Sequence, residues 1–439
     1  MKLLFRKTVV MLAIVGSVTA CSQAGTQSGE SRQDENRSDA SKEPAEIVFY
    51  STNNDSVEGF DQRLGTSLRK KFPNYTIKYI QSTKGNSMEE LLASGTRFDI
   101  FYQTIGNYEG QVFPNRIEYD MSDLIAKHKV DLNRFEPTVM DALKQTSNGK
   151  MYALPVITNN LLLYYNKDLF DKFGVPYPKD GMTWEETSEL SRKLSRIDEG
   201  TQYFGFTHSP LHTIRMNQLS IPNADLKTNT PTINQDGRWS RFFQTLFLNP
   251  VQEPGYQQYL QTTGKIPGSN EFVKSKNVAM YVYIQGLMGA WGDQVNYDVV
   301  SLPVFSDRPG IGSQSYPSYY GITNMAKDKD AAMEVLKYIV SDEYQAELAL
   351  RGDMTVLTDD KVRKQLGQGT PYKDKNWQAA YYNKFAPFLP KGTYDAELVT
   401  IYGAMGIQLQ TGKTDINTGL RQAADQAQKK IAEIAQMNK

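Results

Sequence analysis

Few residue types in this 439-residue chain are placed to do covalent or metal chemistry. There are three histidines, His128, His208 and His212, and a single cysteine, Cys21. His208 and His212 stand at i and i+4, the spacing that lets two imidazoles share a metal on one helix face. Ser209 follows His208 where an H-E-x-x-H motif needs glutamate, however, and Pro210 sits between the two rings. One cysteine excludes a disulfide framework and a thiolate-rich zinc or iron–sulfur centre. Ser67 and Lys70 fit the S-x-x-K of acyl-enzymes, but no S-D-N or K-T-G accompanies them, and they fall on a solvated helix face. Gly412-Lys413-Thr414 has the end of a phosphate-binding loop, yet Ile407 fills the place of its first glycine. The paired carboxylates of a glycosidase have no sequence spacing to test, so a surface hydrolase stays as an alternative. No metal, cofactor or catalytic residue is expected.

The surroundings of Cys21 give it a different chemistry. Lys2, Arg6 and Lys7 precede an apolar run over residues 8–18, which is shorter than the roughly 20 residues needed to span a bilayer. Residues 18–21 (VTAC) resemble the lipobox of bacterial lipoproteins, in which the cysteine carries the lipid and becomes the new N-terminus. Residues 1–20 then read as a signal peptide. Residues 21–45, polar and almost free of apolar side chains, read as a disordered tether. The expected place is the extracytoplasmic face of the cell membrane, anchored by lipid. Lys plus Arg equals Asp plus Glu at 49 each, which argues against a nucleic-acid partner. A monomer is expected.

Beyond residue 45 the pattern alternates strand and helix. Residues 46–50 (EIVFY) form a buried-strand run ending in a polar loop. Phe60, Leu64, Leu68 and Phe72 then share one helix face, stopped by Pro73. Tyr75, Ile77 and Tyr79 alternate as a strand, Ser87 and Glu90 form a capping box, and residues 98–102 are a further strand. That order is a doubly wound α/β pattern, whose ligand loops lie at carboxyl ends of strands. Further along, residues 161–165 (LLLYY) and 277–284 read as strands, and Thr183 and Glu186 cap a helix. Residues 330–340, 342–350 and 415–436 read as helices, with Gly352 as a glycine stop.

Several stretches together resemble family 1 extracellular solute-binding proteins of ABC importers, the maltose-binding-protein group. They are residues 149–155 (GKMYALP), 163–170 (LYYNKDLF), 183–186 (TWEE), 278–280 (VAM), 301–303 (SLP), 331–339 (AAMEVLKYI) and 411–414 (TGKT). The resemblance implies a two-lobed, type II periplasmic-binding-protein-like α/β fold. Lobe one would span 46–156 plus 304–352, and lobe two 161–300 plus 357–439. It further implies a carbohydrate ligand in the cleft, permease subunits as partners, and hinge closure as the output rather than a reaction.

Sugar recognition calls for aromatic faces and for planar amides or carboxylates, because an amide buried without its hydroxyl costs about 1–3 kcal/mol. The candidates are Asn54 with Asn53 after the first strand, Tyr102 and Gln103 after the third, and Asn159 with Asn160 at the first crossing. Asn159 falls where the maltose-binding protein carries an acidic ligand contact. Tyr283, Gln285 and Trp291 lie at the second crossing region, although Met288 occupies the place nearest the family's stacking tryptophan. Tyr319 and Tyr320 sit in a glycine-bounded loop, and Asp353 follows Gly352. Val399 and Thr400 replace an aromatic pair of the maltose-binding protein, which argues against maltodextrin. The adjacent tyrosines leave a ferric-iron binder as an alternative, and a peptide binder is another.

Overall fold

The structure, a computed structural model, describes residues 43–53, 55–146, 149–389 and 391–437. The signal-peptide segment 1–20, Cys21 with its tether as far as residue 42, and Asn54 lie outside the described residues. Apolar β-branched and aromatic runs form the strands β1 (Ala45–Ser51), β2 (Tyr75–Gln81), β3 (Ile100–Thr104), β4 (Leu154–Thr158) and β5 (Leu161–Asn166). They continue as β6 (Arg196–Asp198), β7 (Thr201–His208), the short pair β8 (Ala224–Asp225) and β9 (Thr230–Pro231), and β10 (Val278–Ile284). The last are β11 (Tyr297–Ser301), β12 (Ser318–Ile322) and β13 (Met354–Thr355).

Two sheets organise the molecule. One is six-stranded in the order β13-β4-β12-β3-β1-β2, and the other five-stranded in the order β11-β5-β10-β7-β6. In the first, β1 lies parallel between β2 and β3, as the strand–helix–strand pattern requires, and β12 runs antiparallel to β3 and β4. In the second, β10 pairs parallel with β7 and antiparallel with β5.

The chain passes between the sheets three times. Asn159 and Asn160 alone join β4 to β5, residues 302–317 join β11 to β12, and the chain after β13 returns to the five-stranded side. There Lys375 Nζ donates to the Tyr297 carbonyl at 2.7 Å and the Asn376 amide to Asp298 Oδ1 at 2.9 Å. Each sheet is covered by helices, giving a two-lobed α/β fold.

The helix carrying Phe60, Leu64 and Leu68 includes a π-helical turn at Asp61–Gly65 yet still buries those three residues. Both capping boxes form, Ser87 with Glu90 and Thr183 with Glu186. Gly352 has φ of 99°, and a Cβ there would stand 2.8 Å from the Trp377 ring, so packing as well as the turn demands glycine. Tyr319 and Tyr320 lie in β12 rather than in a loop. Their aromatic side chains suit a pleated, buried strand better than the flanking Gly321 suits a turn. Val399 is fully buried in the helix Asp395–Gln410.

Candidate functional site

At the carboxyl ends of β1 and β3 the six-stranded lobe gathers a charged cluster. Arg63, on the helix after β1, donates through Nη2 to Asp55 Oδ2 at 2.6 Å and to Tyr102 Oη at 3.3 Å. Tyr102 donates in turn to Asp55 Oδ2 at 3.1 Å. Cross-strand register sets Tyr320 opposite Tyr102, and their rings stack at 4.7 Å with 7° between planes. Tyr79 closes the cluster on β2, donating to the Asp55 carbonyl at 3.2 Å. Asp353 stands beside it. Burial raises its pKa, while Arg351 and Arg63 pull it down. Asp55, Arg63 and Asp353 all keep part of their surface exposed.

The five-stranded lobe contributes a less charged surface from the helix Pro210–Arg215 and the end of β10. Tyr283 is half-buried, and its hydroxyl has no hydrogen-bond partner among the described residues. The His212 ring meets it edge to face at 4.9 Å, with Nδ1 2.7 Å from Ser209 Oγ. Burial, with Arg215 nearby, lowers the His212 pKa to about 4, so the imidazole is neutral at pH 7. Arg215 Nη1 donates to Tyr316 Oη at 2.7 Å, and Tyr316 Oη donates to Thr104 Oγ1 at 3.2 Å. Those two bonds connect a helix of one lobe, a crossing segment and the end of β3 in the other lobe.

The crossings are tied by amide side chains. Asn159 Oδ1 accepts the Gly286 amide at 2.6 Å, and its carbonyl accepts the Tyr316 amide at 2.9 Å. Asn160 Nδ2 donates to the Ala380 carbonyl at 2.6 Å, and Gln285 Nε2 to the Gly352 carbonyl at 3.0 Å. The remaining oxygens, Asn160 Oδ1 and Gln285 Oε1, are buried without partners among the described residues. Gln103 is also buried, donating from Nε2 to Thr52 Oγ1 at 2.8 Å and accepting the Thr104 amide at 2.7 Å.

The sequence-nominated residues therefore separate into groups. Tyr102, Tyr320 and Asp353 come together in the charged cluster, and Asn159 and Tyr283 keep exposed surface beside the crossings. Asn160 and Gln285 are enclosed in the connecting framework, and Gln103 inside the six-stranded lobe on β3. Strand alternation sends Tyr319 to the face opposite Tyr320, where it meets Tyr108 edge to face and donates to the Val139 carbonyl at 3.4 Å. Trp291 packs inside the five-stranded lobe against Tyr164 and Phe272.

Sequence reasoning missed Asp55, Arg63, His212, Arg215 and Tyr316. Asp55 stands one residue past the nominated Asn54 and was within reach. Arg63 occupies the polar side of a helix nominated only for its apolar stripe, and His212 was weighed only as a metal ligand.

Residues 53–346 match the model of a family described as bacterial extracellular solute-binding protein. A mannitol-binding protein of Pseudomonas aeruginosa is 29% identical over 163 residues, 36% of this chain and 35% of that one. The chain spans about a third to two thirds of the length of the curated relatives it matches. Among solved structures, a sugar transporter of Rhizobium etli in an open conformation superposes with a TM-score of 0.69 at 19% identity, covering 87% of this chain and 99% of that one. An ABC substrate-binding protein of Listeria monocytogenes in complex with cycloalternan gives 0.66 at 16% identity, over 89% and 100%. The two-lobed arrangement is thus a shared fold.

Proposed function

The chain belongs to the bacterial extracellular solute-binding proteins, and from that premise we propose that it captures a carbohydrate between its lobes for an ABC importer. The observation that carries the reading is the convergence at the crossings. A carboxylate–guanidinium–tyrosine cluster around Asp55, Arg63, Tyr102 and Asp353 lies on one lobe, and the half-buried Tyr283 and His212 lie on the other. Charged oxygens and guanidinium nitrogens pair with sugar hydroxyls, and charge-assisted bonds of this kind are about twice as strong as neutral ones. The exposed part of Tyr283 offers an apolar surface for ring C–H groups. The mannitol-binding relative and the sugar-transporter neighbour support the same class of cargo.

In this reading lobe one is 46–156 plus 304–352 and lobe two is 161–300 plus 357–439. Residues 157–160, 301–303 and 353–356, left between these bounds, act as the hinge. A ligand that touches both lobes biases them toward closure, and the closed form is what the permease subunits recognise. The output is a change of shape. No reaction is assigned to the site, since its family and neighbours are binding proteins. Lipidation of Cys21, with residues 21–45 as tether, would hold a monomer at the outer face of the membrane. Among the described residues no helix is long and apolar enough to cross one.

A thermal-shift screen against mono- and oligosaccharides, polyols, amino acids, a peptide mixture and ferric ion tests the reading. Ligand at 100 times its Kd stabilises the folded state by about 2.7 kcal/mol. A shift with one sugar class, and recovery of that sugar unchanged, is the expected outcome. A shift only with iron or peptide, or turnover of the sugar, would overturn the cargo.

A further inference from the structure

A second polar contact joins the lobes, away from the cluster just described. The short helix Asn107–Val112, which follows β3 in the six-stranded lobe, packs against the start of the helix Asp395–Gln410. The latter belongs to the five-stranded side, where Tyr402 Oη donates to the Asn223 carbonyl at 2.7 Å and Gly406 fits against Phe247. The two come within van der Waals range at glycines of the six-stranded side. A Cβ on Gly106 would stand 3.6 Å from Asp395 Oδ2, and one on Gly110 would stand 3.5 Å from the Thr393 carbonyl.

Three ionisable side chains are enclosed at this contact: Glu109, Lys391 and Asp395 are 2%, 2% and 6% exposed. Glu109 Oε2 accepts the Gly106 amide at 2.7 Å, and Asp395 Oδ1 accepts from Asn223 Nδ2 at 2.7 Å. Their other oxygens, Glu109 Oε1 and Asp395 Oδ2, are buried with no partner among the described residues. Lys391 Nζ is directed to the Arg215 carbonyl at 3.0 Å. Two buried carboxylates thus face one ammonium whose hydrogen bond goes to a carbonyl. Leaving both carboxylates charged would be expensive, since an uncompensated buried charge costs several kcal/mol.

We propose that Glu109 and Asp395 form a proton-binding site between the lobes, filled when the lobes are together and emptied when they part. A proton from solvent on Glu109 Oε1 removes the negative charge that repels Asp395 across the contact. The contact lies beyond the carboxyl end of β3, on the same side as the Thr104–Tyr316–Arg215 bridge, so separating the lobes at the cleft separates these two groups. The groups facing Glu109 are Lys391 and Asp395 from the opposite lobe and Tyr319 from β12. Tyr108 precedes it on its own helix, with Glu118 beyond, and Arg215 stands behind Lys391. Burial, with Asp395 adding to it against the backbone bonds and Lys391, raises the Glu109 carboxyl to about 7. Once apart and hydrated, the carboxyl returns toward its ordinary 4.5.

The sign follows from that difference. Between about 4.5 and 7 the joined lobes hold a proton that the separated lobes release, so closure is favoured there. That advantage is full below about 4.5, falls by about tenfold in the closing equilibrium per pH unit between 4.5 and 7, and is spent above 7.

The test uses the full chain without ligand, so it stands whatever the cargo proves to be. Melting temperature and small-angle X-ray scattering are recorded from pH 5.5 to 8.5 for the wild type and Glu109→Gln, whose amide is uncharged at every pH. The expected result is that the wild type falls behind Glu109→Gln as pH rises from 5.5 to about 7 and no further above it, and that its radius of gyration increases over the same range while the variant's does not. A melting difference that stays constant with pH overturns the proton site. A difference that widens while the scattering profiles stay identical overturns its coupling to lobe separation. Asp395→Asn is the second variant and carries the test alone if Glu109→Gln does not fold. It should move the wild-type response toward the ordinary carboxylate range, and an unmoved response would contradict the pairing.

Discussion

The two lobes present different surfaces to the space between them. On the six-stranded side, Asp55, Arg63 and Tyr102 are bonded to one another before any ligand arrives, and Tyr102 is already stacked on Tyr320. On the five-stranded side, the Tyr283 hydroxyl and His212 Nε2 have no hydrogen-bond partners among the described residues, and the imidazole is held neutral. The first surface is pre-organised and charged, and it loses little entropy on binding. The second leaves its polar atoms for the ligand to satisfy. On the proposed reading, the cargo is taken on the charged lobe and the other lobe's unsatisfied groups favour closure.

The comparison can be broken most severely at two tyrosines, one in the core of the six-stranded lobe and one at the end of β10 in the other. Tyr319→Ala should cost about 3–5 kcal/mol of stability through the cavity it leaves. Tyr283→Ala, half-exposed on the other lobe, should weaken ligand binding while the melting temperature of the empty protein hardly changes. Denaturant melts and calorimetric titration of both variants check this, and a reversal of the two effects would exchange core and site.

Arg63→Gln removes the guanidinium that Asp55, Tyr102 and Asp353 share. Its affinity loss should be about 2–5 kcal/mol, the usual range for truncating one partner of a hydrogen-bonded charge pair. Titration against the sugar identified in the screen measures it. A loss below that of Tyr283→Phe would mean that the charged lobe is not the one that takes the cargo first.

The histidines sharpen the same contrast through pH. Burial lowers His208 to about 3 and His212 to about 4, from an ordinary 6.5. The native state therefore binds fewer protons than the unfolded chain between about 4 and 6.5. Stability is full above 6.5 and falls with acidification, by about 1.4 kcal/mol per pH unit for each histidine. Urea melts at pH 7 and 5 read the drop, and His212→Asn should make it shallower.

The smallest effect expected is that of Tyr102→Phe. It removes one hydroxyl bonded to Asp55 and keeps the Tyr320 stack, so affinity should fall by about 1 kcal/mol at unchanged melting temperature. An unfolded Tyr102→Phe would place that hydroxyl in the stability of the lobe rather than in recognition.

Much of the fold was legible because local chemistry and tertiary packing agree. Ser87 with Glu90 and Thr183 with Glu186 announce their helices by capping, and Gly352 marks the turn that Trp377 then covers. Tyr319 and Tyr320 were read as a loop because Gly321 follows them, whereas long-range pairing with β3 and β4 makes them a strand. The site was harder to read. Period-two alternation separates Tyr320 from Tyr319, and that period is invisible once the segment is taken for a loop. Arg63 reaches Asp55 across eight residues and Tyr102 across thirty-nine, and no spacing rule links such positions. Glu109 and Asp395 are farther apart still and meet only through the tertiary packing of their two helices.

The most direct measurement is a crystal structure of the chain with the sugar that stabilises it in the screen. The account predicts ligand oxygens within hydrogen-bond distance of Asp55, Arg63 or Asp353 on one lobe and of Tyr283 or His212 on the other, in the same molecule. A sugar bound to one lobe only, or outside the crossings altogether, would contradict it.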